Sequence, residues 1–175
     1  MTLPQSLENS PAPPEILAAQ TLLNIPFIGF DGESRIGQLV VAGDLAAEVA
    51  EIFRQIFIAR FPIGKIIPAR AFGWSDDDSM AANNCSGFNF RVKVGKSELS
   101  AHATGRAIDI NPRQNPYLRG EVTLPIGAIY DPSAAGTLTA ESVPVRAFES
   151  FGWTWGGRWT TLKDYHHFEK PLPTP

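Results

Sequence analysis

The chain has 175 residues, of which 43% are hydrophobic and 19% are charged, and its formal net charge is −3. This length and composition are typical of a globular domain that buries its own hydrophobic core. The absence of a basic block argues against nucleic acid as a partner, and no apolar run approaches the ~20 residues that a membrane helix needs. The one cysteine, Cys85, cannot form an internal disulfide, and we expect it to be a small buried residue.

Periodic patterns predict the elements of the first half of the chain. Residues 1–14 are rich in Pro and Ser and are expected to form a flexible tail before a single domain over residues 15–175. Two apolar runs that flank the turn signal Asp31-Gly32 predict a hairpin. Apolar residues at helical spacing then predict a long helix with Asp44 as its cap.

The second half mixes short strands and helices without the regular alternation of a parallel sheet. The sequences FNFRVKV, residues 88–94, and RAIDIN, residues 106–111, alternate and predict strands. Residues 113–138 are rich in Pro and Gly and predict a long surface loop. Residues 139–152 predict a helix with Thr139 as its cap. The sequence therefore favours an α+β fold, a single domain with a small antiparallel sheet.

The sequence SAHATGRAIDINP, residues 100–112, predicts half of a metal site. In the predicted strand, Asp109 lies on the face opposite the apolar residues, where a buried carboxylate needs partners. Gly105 permits a sharp turn just before the strand, and this turn can bring His102 back over Asp109. Ser100 is close enough to orient this loop. The alternative is a surface hairpin with a solvated aspartate and an incidental histidine.

The sequence DYHHFE, near the end of the chain, predicts the other half. In a strand, His166 and His167 point to opposite faces, so only one of them can join a given site. Zinc in hydrolases takes three protein ligands and a water, and a separate carboxylate serves as the base. His102, Asp109 and His167 fill the ligand set, and Asp164 is the candidate base. The alternative for the histidine pair is one core residue and one exposed residue.

Two spaced patterns carry a resemblance to a known family. They are S-x-H-x-x-G-x-A-x-D, formed by Ser100, His102, Gly105, Ala107 and Asp109, and D-x-x-H, formed by Asp164 and His167. Together they resemble the zinc D-alanyl-D-alanine carboxypeptidases and dipeptidases, and the related L-alanyl-D-glutamate endopeptidases of bacteria and phage lysins. The similarity extends over FPIGKI, DDDSMAANNCSGFNFR, INPRQNPY and GWTWGGRW, and so covers roughly residues 38–170.

The resemblance implies a small antiparallel sheet flanked by helices, of the kind shared with the hedgehog signalling domain. It implies one zinc ion per chain on His102, Asp109 and His167, with Asp164 as general base. Members of the family hold the substrate carbonyl with an upstream arginine, and Arg91 matches that position best. His166 stands where close relatives often have glutamine.

The substrate that the resemblance implies is a stem peptide of peptidoglycan, which is met in the periplasm or outside the cell. The N-terminal residues show no secretory signal pattern. Candidate substrate contacts are Ser100, Asn84 and, within GWTWGGRW, Trp155, although tryptophans at such spacing are more often core residues. We expect a monomer.

Several alternatives stay open at this point. The chain can be a non-catalytic zinc-containing module that binds the cell wall or a protein. It can be a non-haem iron oxygenase with two histidines and a carboxylate, although those enzymes usually pair His and Asp two residues apart. It can also be a metal-free structural domain. Carboxypeptidase and endopeptidase are not separated, because residues 113–138 shape the end of the groove.

Overall fold

The computed structural model describes residues 1–171, which form short helices and four small sheets. Its α-helices are α1 (Leu3–Leu7), α2 (Pro14–Ala18), α3 (Ala46–Ile58), α4 (Asp76–Ala81) and α5 (Val143–Ser150). Its strands are β1 (Gln20–Ile28), β2 (Ser34–Ala42), β3 (Lys65–Ile66), β4 (Asn84–Cys85), β5 (Ala107–Asp109), β6 (Tyr117–Arg119), β7 (Val122–Leu124), β8 (Thr154–Trp155), β9 (Lys163–Asp164) and β10 (His167–Glu169). Four 3-10 helices span Gly43–Leu45, Ala69–Phe72, Ala101–Thr104 and Gly156–Arg158.

A hairpin and one helix form a large part of the core. The strands β1 and β2 pair antiparallel, and Gly32 in the connecting turn adopts a positive φ of +84°. The helix α3 packs on this hairpin and buries one apolar face, formed by Val49, Ile52, Phe53 and Ile56. Burial of each such side chain contributes about 1.5–3 kcal/mol. The structure confirms the predicted hairpin and helix.

The helices α3 and α5 each begin at a different residue from the one predicted. Leu45 is the N-cap of α3, and Asp44 lies in the preceding 3-10 turn. The Asp44 carboxylate instead accepts two hydrogen bonds from Arg106, at 2.7 and 3.0 Å. The N-cap of α5 is Ser142 rather than Thr139. Asp44 therefore connects the start of α3 to the segment that enters β5.

The three-stranded sheet β5–β10–β8 positions the candidate ligands. Its central strand, β10, pairs antiparallel with both neighbours, and the register places His167 opposite Asp109. Phe168, the next residue, is wholly buried in the main core. The alternation of side chains along β10 thus directs one face to the candidate site and the other to the core.

The segment predicted as a surface loop, residues 113–138, contains a small hairpin. The strands β6 and β7 pair antiparallel, and β6 also pairs with β9. Tyr117 lies opposite Asp164 in that register. Residues 113–138 are therefore connected, through the pairing of β6 with β9, to the strand that carries the candidate base.

The predicted strand at residues 88–94 is wrong. The structure has only an isolated bridge between Val92 and Leu99 in this segment. Val92 and Val94 are 48% and 44% exposed, whereas Phe88 is buried. The alternation in the sequence does not mark one buried face, and no neighbouring strand pairs with the segment.

Residues 1–14 also differ from the expected tail. The helix α1 begins with a capping box in which Thr2 accepts a hydrogen bond from the Gln5 backbone and the Gln5 side chain bonds back to Thr2. Downstream of α1, the Glu8 carbonyl accepts a hydrogen bond from Trp74 at 3.2 Å. The Glu8 carboxylate also pairs with Arg70. The segment packs on the domain through these contacts.

The molecule is an α+β domain with few helices and small sheets, as the sequence predicts. These sheets are antiparallel except for the two-residue parallel pair of β3 and β4. Within residues 1–171, none of the helices has the length and apolar character needed to cross a membrane.

Candidate metal centre and active-site cavity

Three side chains from distant parts of the chain converge at one point. His102 Nε2 lies 3.0 Å from Asp109 Oδ2 and 3.2 Å from His167 Nδ1. His167 Nδ1 lies 3.0 Å from Asp109 Oδ1. None of the three residues is more than 6% exposed. The structure therefore brings together the three ligands that the sequence predicts.

Local backbone features hold His102 over Asp109. Ser100 is the N-cap of the 3-10 turn Ala101–Thr104, and its Oγ accepts a hydrogen bond from the His102 backbone at 3.3 Å. Gly105 then adopts a φ of +70°, and a Cβ at this position would lie 2.6 Å from the backbone nitrogen of Ala42. Because only glycine fits there, this turn can return the chain directly into β5.

The second nitrogen of each histidine is also engaged. His102 Nδ1 donates to the carbonyl oxygen of Gly87 at 2.6 Å. In a neutral imidazole this leaves His102 Nε2 unprotonated and directed at the cluster. His167 Nε2 lies 3.3 Å from Glu169 Oε2. Metal-binding histidines are commonly oriented by contacts of this kind.

The charges in the cluster shift pKa values. Burial raises the pKa of Asp109, but His102 and His166 outweigh this and hold it well below its usual range. Burial lowers the pKa of His167, but its contacts with Asp109 and Glu169 raise that pKa to about 10. Without a cation, a proton on His167 therefore balances the Asp109 carboxylate at neutral pH.

The cluster fits a metal ion. Asp109 Oδ2 is buried and has no aligned hydrogen-bond partner among the described residues, although His102 Nε2 is 3.0 Å away. Ligand atoms that lie about 2.0–2.1 Å from a tetrahedral zinc ion are roughly 3.3 Å from one another. The three separations above are close to that value. Two imidazole nitrogens and one carboxylate are also a donor set that zinc accepts.

A cavity of about 410 Å³ adjoins the cluster. Its lining includes the ligand His167, the candidate base Asp164, and both Arg91 and Ser100. The structure thus brings four of the predicted site residues to one enclosed space. Trp159 also lines the cavity, and its ring centroid lies 5.6 Å from that of His167.

Asp164 is in contact with the second histidine of the pair. Its Oδ1 is buried and lies 2.9 Å from His166 Nε2 without an aligned hydrogen bond between the two atoms, while the side chain as a whole is 15% exposed. His166 Nδ1 donates to the carbonyl oxygen of Asn115 at 2.7 Å. Burial lowers the pKa of His166, but Asp164 and Asp109 raise it to about 9. His166 is therefore buried but engaged with the candidate base.

Arg91 is in contact with an acid that sequence reasoning missed. Its Nε lies 3.0 Å from Asp76 Oδ1, and the two side chains are 21% and 18% exposed. Burial raises the pKa of Asp76. The three consecutive aspartates of SDDDSM look alike in the sequence, and only Asp76 lines the cavity. Its place directly after the cap residue Ser75 was the one available signal.

Two of the predicted substrate contacts need correction. Asn84 is wholly buried, and its amide bonds to the backbone of Ile67 and to the Ser79 hydroxyl. Trp155 is 4% exposed, lies in the main core and donates from Nε1 to the Tyr165 carbonyl at 2.8 Å. Neither residue lines the cavity. Both side chains stabilise the fold, because their polar atoms are already paired inside the protein.

The buried ligand set beside a cavity with a free carboxylate defines a candidate metal-dependent hydrolase. Residues 94–170 match a family model described as D-alanyl-D-alanine carboxypeptidase. The matched segment contains His102, Asp109, His167 and Asp164, and the match supports the family that the resemblance predicts. No curated protein and no solved structure gives a significant match.

Proposed function

We propose that the protein is a zinc-dependent peptidase that hydrolyses an amide bond in a stem peptide of peptidoglycan. The convergence of His102, Asp109 and His167 beside the cavity that contains Asp164 is the observation that carries this proposal. The family match supports a peptidase of cell-wall peptides in general. The metal, the bond that is cut and the roles of the residues belong to the proposal.

Asp164 is the general base in this mechanism. Zinc bound by the three ligands supplies Lewis-acid activation of water near neutral pH. Asp164 accepts a proton from the attacking water and then transfers it to the leaving amine. Because Oδ1 of Asp164 is buried against His166, the other carboxylate oxygen is the one available to the cavity.

Arg91 stabilises the oxygen of the scissile carbonyl. Its guanidinium lines the cavity, and the contact between Nε and Asp76 fixes one edge of the group. In this proposal, a guanidinium N–H that does not face Asp76 donates a hydrogen bond to the carbonyl oxygen as negative charge accumulates on it. A single donor of this kind usually contributes about 3–4 kcal/mol to the transition state.

The lining of the cavity favours a substrate that carries carboxylates. Besides Arg91, the basic side chains of Lys93, Lys96 and Arg119 line it. A Cβ on Gly95 would lie 3.7 Å from a guanidinium nitrogen of Arg119, so these cations surround one short loop. The acids Asp76, Asp164 and Glu169 line the same cavity. Stem peptides of peptidoglycan are short and bear several carboxylates, which the basic side chains can bind.

Cleavage of defined muropeptides by the zinc-loaded protein tests the proposal. We expect mass spectrometry to show hydrolysis of one bond, and its position distinguishes a D-Ala-D-Ala carboxypeptidase from an L-Ala-D-Glu endopeptidase. Treatment with a chelator should abolish cleavage, and added zinc should restore it. Binding of muropeptides by the zinc-loaded protein without any hydrolysis would instead indicate a non-catalytic cell-wall module and would overturn the proposal.

A further inference from the structure

We infer that His166 is a positioning residue that orients the carboxylate of Asp164. The inference rests on the proposed function, because it assigns Asp164 the role of base. It concerns the contact between His166 Nε2 and Asp164 Oδ1 at 2.9 Å, which no ligand of the metal centre makes. The base of this site is then a histidine–aspartate pair.

The His166 ring has a fixed orientation. A carbonyl oxygen only accepts hydrogen bonds, so His166 Nδ1 donates its hydrogen to the Asn115 backbone at 2.7 Å. The Asn115 side chain is wholly buried, donates to three carbonyl groups and accepts from the Leu138 backbone at 2.6 Å. With Nδ1 anchored in this way, Nε2 of His166 lies 2.9 Å from Asp164 Oδ1.

Asp164 is held from a second side by its backbone. A Cβ on Gly156 would lie 2.4 Å from the Asp164 carbonyl oxygen and 2.9 Å from the Asp164 Cβ. The backbone segments of Gly156 and Asp164 therefore pack closely. The main chain of Asp164 is therefore fixed by Gly156, and the carboxylate is turned by His166. This arrangement buries Oδ1 and leaves the other oxygen for the cavity.

The contacts of His166 favour a role in positioning Asp164 over a purely structural role in the core. One ring nitrogen of His166 is used for anchoring to Asn115, and a purely structural histidine would need no more. The second nitrogen contacts the candidate base, and the residue also lines the cavity. A side chain 3% exposed thus connects the buried interior to the reactive carboxylate.

Two variants separate the two contacts of the ring. In His166→Asn, the amide nitrogen lies near the position of Nδ1, so the bond to Asn115 is kept and the contact with Asp164 is lost. In His166→Gln, the amide nitrogen lies near the position of Nε2, so the contact with Asp164 is kept and the bond to Asn115 is lost. A comparison of kcat, KM, zinc content and Tm for both variants tests the inference.

We expect His166→Asn to keep one zinc ion and a Tm near that of the wild type. Its kcat should fall about tenfold or more with little change in KM, since a general base contributes about 10²–10⁴-fold. His166→Gln should recover most of this kcat. The inference is overturned if His166→Asn has a wild-type kcat, or if both variants lose kcat equally.

Crystal structures of the two variants keep this inference separate from the proposed function. We expect the Asp164 carboxylate to rotate away from its wild-type orientation in His166→Asn and to keep it in His166→Gln. If the wild type cleaves no peptide, the proposed function fails, but the orientation of Asp164 still decides the positioning role. An unchanged Asp164 in His166→Asn would overturn the inference.

Discussion

The hairpin–helix region, formed by β1, β2 and α3, and the metal-site region, formed by the turn Ala101–Thr104 with β5 and β10, are stabilised in different ways. The first has nine-residue strands and a 13-residue helix that bury apolar side chains. The second has three-residue strands, and the side chains buried on the face toward the candidate site include two histidines and an aspartate. Buried polar groups are costly without partners, so we expect a bound cation to matter for the second region and not for the first.

Removal of one ligand should have the largest effect. His167→Ala removes the nitrogen that faces Asp109 at 3.0 Å, and we expect it to lose both stoichiometric zinc and all peptide cleavage. Hydrogen exchange should speed up in β5 and β10 but not in α3. The adjacent His166→Asn is the matched control, because it should keep its zinc. Full zinc content in His167→Ala would contradict the contrast between the two regions.

Replacement of the base should separate chemistry from metal binding. We expect Asp164→Asn to keep one zinc ion while kcat falls by about 10²–10⁴-fold, because an amide cannot accept the proton of water. Glu169→Gln is the matched control on the same cavity lining. Since Glu169 contacts His167, that variant should weaken zinc affinity by about 10–100-fold instead. Full activity in Asp164→Asn would show that the base is another group.

Loss of the Arg91 guanidinium should lower kcat somewhat less than loss of the Asp164 carboxylate. We expect Arg91→Gln to lower kcat by about 10²–10³-fold, because one donor to the developing oxyanion is removed. Zinc content should be unchanged, as Arg91 contacts Asp76 rather than a ligand. Steady-state kinetics with zinc analysis checks this, and a change in KM alone would restrict Arg91 to substrate binding.

A substitution in the core of the hairpin–helix region tests whether that region affects metal binding. Ile52 is wholly buried in α3, and Ile52→Ala should lower the free energy of unfolding by about 2–5 kcal/mol. Chemical denaturation measures this loss. The folded variant should still bind one zinc ion with unchanged affinity. A loss of affinity would mean that the two regions are coupled more closely than their different packing indicates.

The pH dependence of zinc binding should be the most gradual effect. The pKa of His167 is raised from 6.5 to about 10, so its protonated form stabilises the metal-free protein. That stabilisation is complete below the unfolded pKa and is lost as pH rises through about 10. Zinc displaces this proton, so the apparent affinity should fall about tenfold for each pH unit below 10. Calorimetric titration at two pH values measures this, and an affinity independent of pH would exclude His167 as a ligand.

The sequence predicted the elements that bury apolar faces. The hairpin and α3 show regular periodicity, and the three residues that converge at the candidate metal centre were found from spacing and family resemblance. The strand at residues 88–94 was predicted wrongly, because alternation alone does not create a pairing partner. Asn84 and Trp155 were assigned to substrate because polar and aromatic residues look the same in a sequence whether they are buried or lie on a cavity wall.

The contacts that tune the site could not be predicted from the sequence. The pair of Arg91 and Asp76 and the pair of His166 and Asp164 depend on where the cavity lies in the folded chain. The separation of Asp109 and His167 along the chain likewise gives no register, which the antiparallel pairing of β5 and β10 sets. Sequence spacing identified the three residues that converge, and tertiary structure determines the other contacts of their side chains.

A crystal structure of the zinc-loaded protein with anomalous diffraction at the zinc edge tests the central claim most directly. We predict one strong peak, about 2.0–2.2 Å from Nε2 of His102, a carboxylate oxygen of Asp109 and Nδ1 of His167. No peak between these three atoms, or zinc bound only by other residues, would contradict the account.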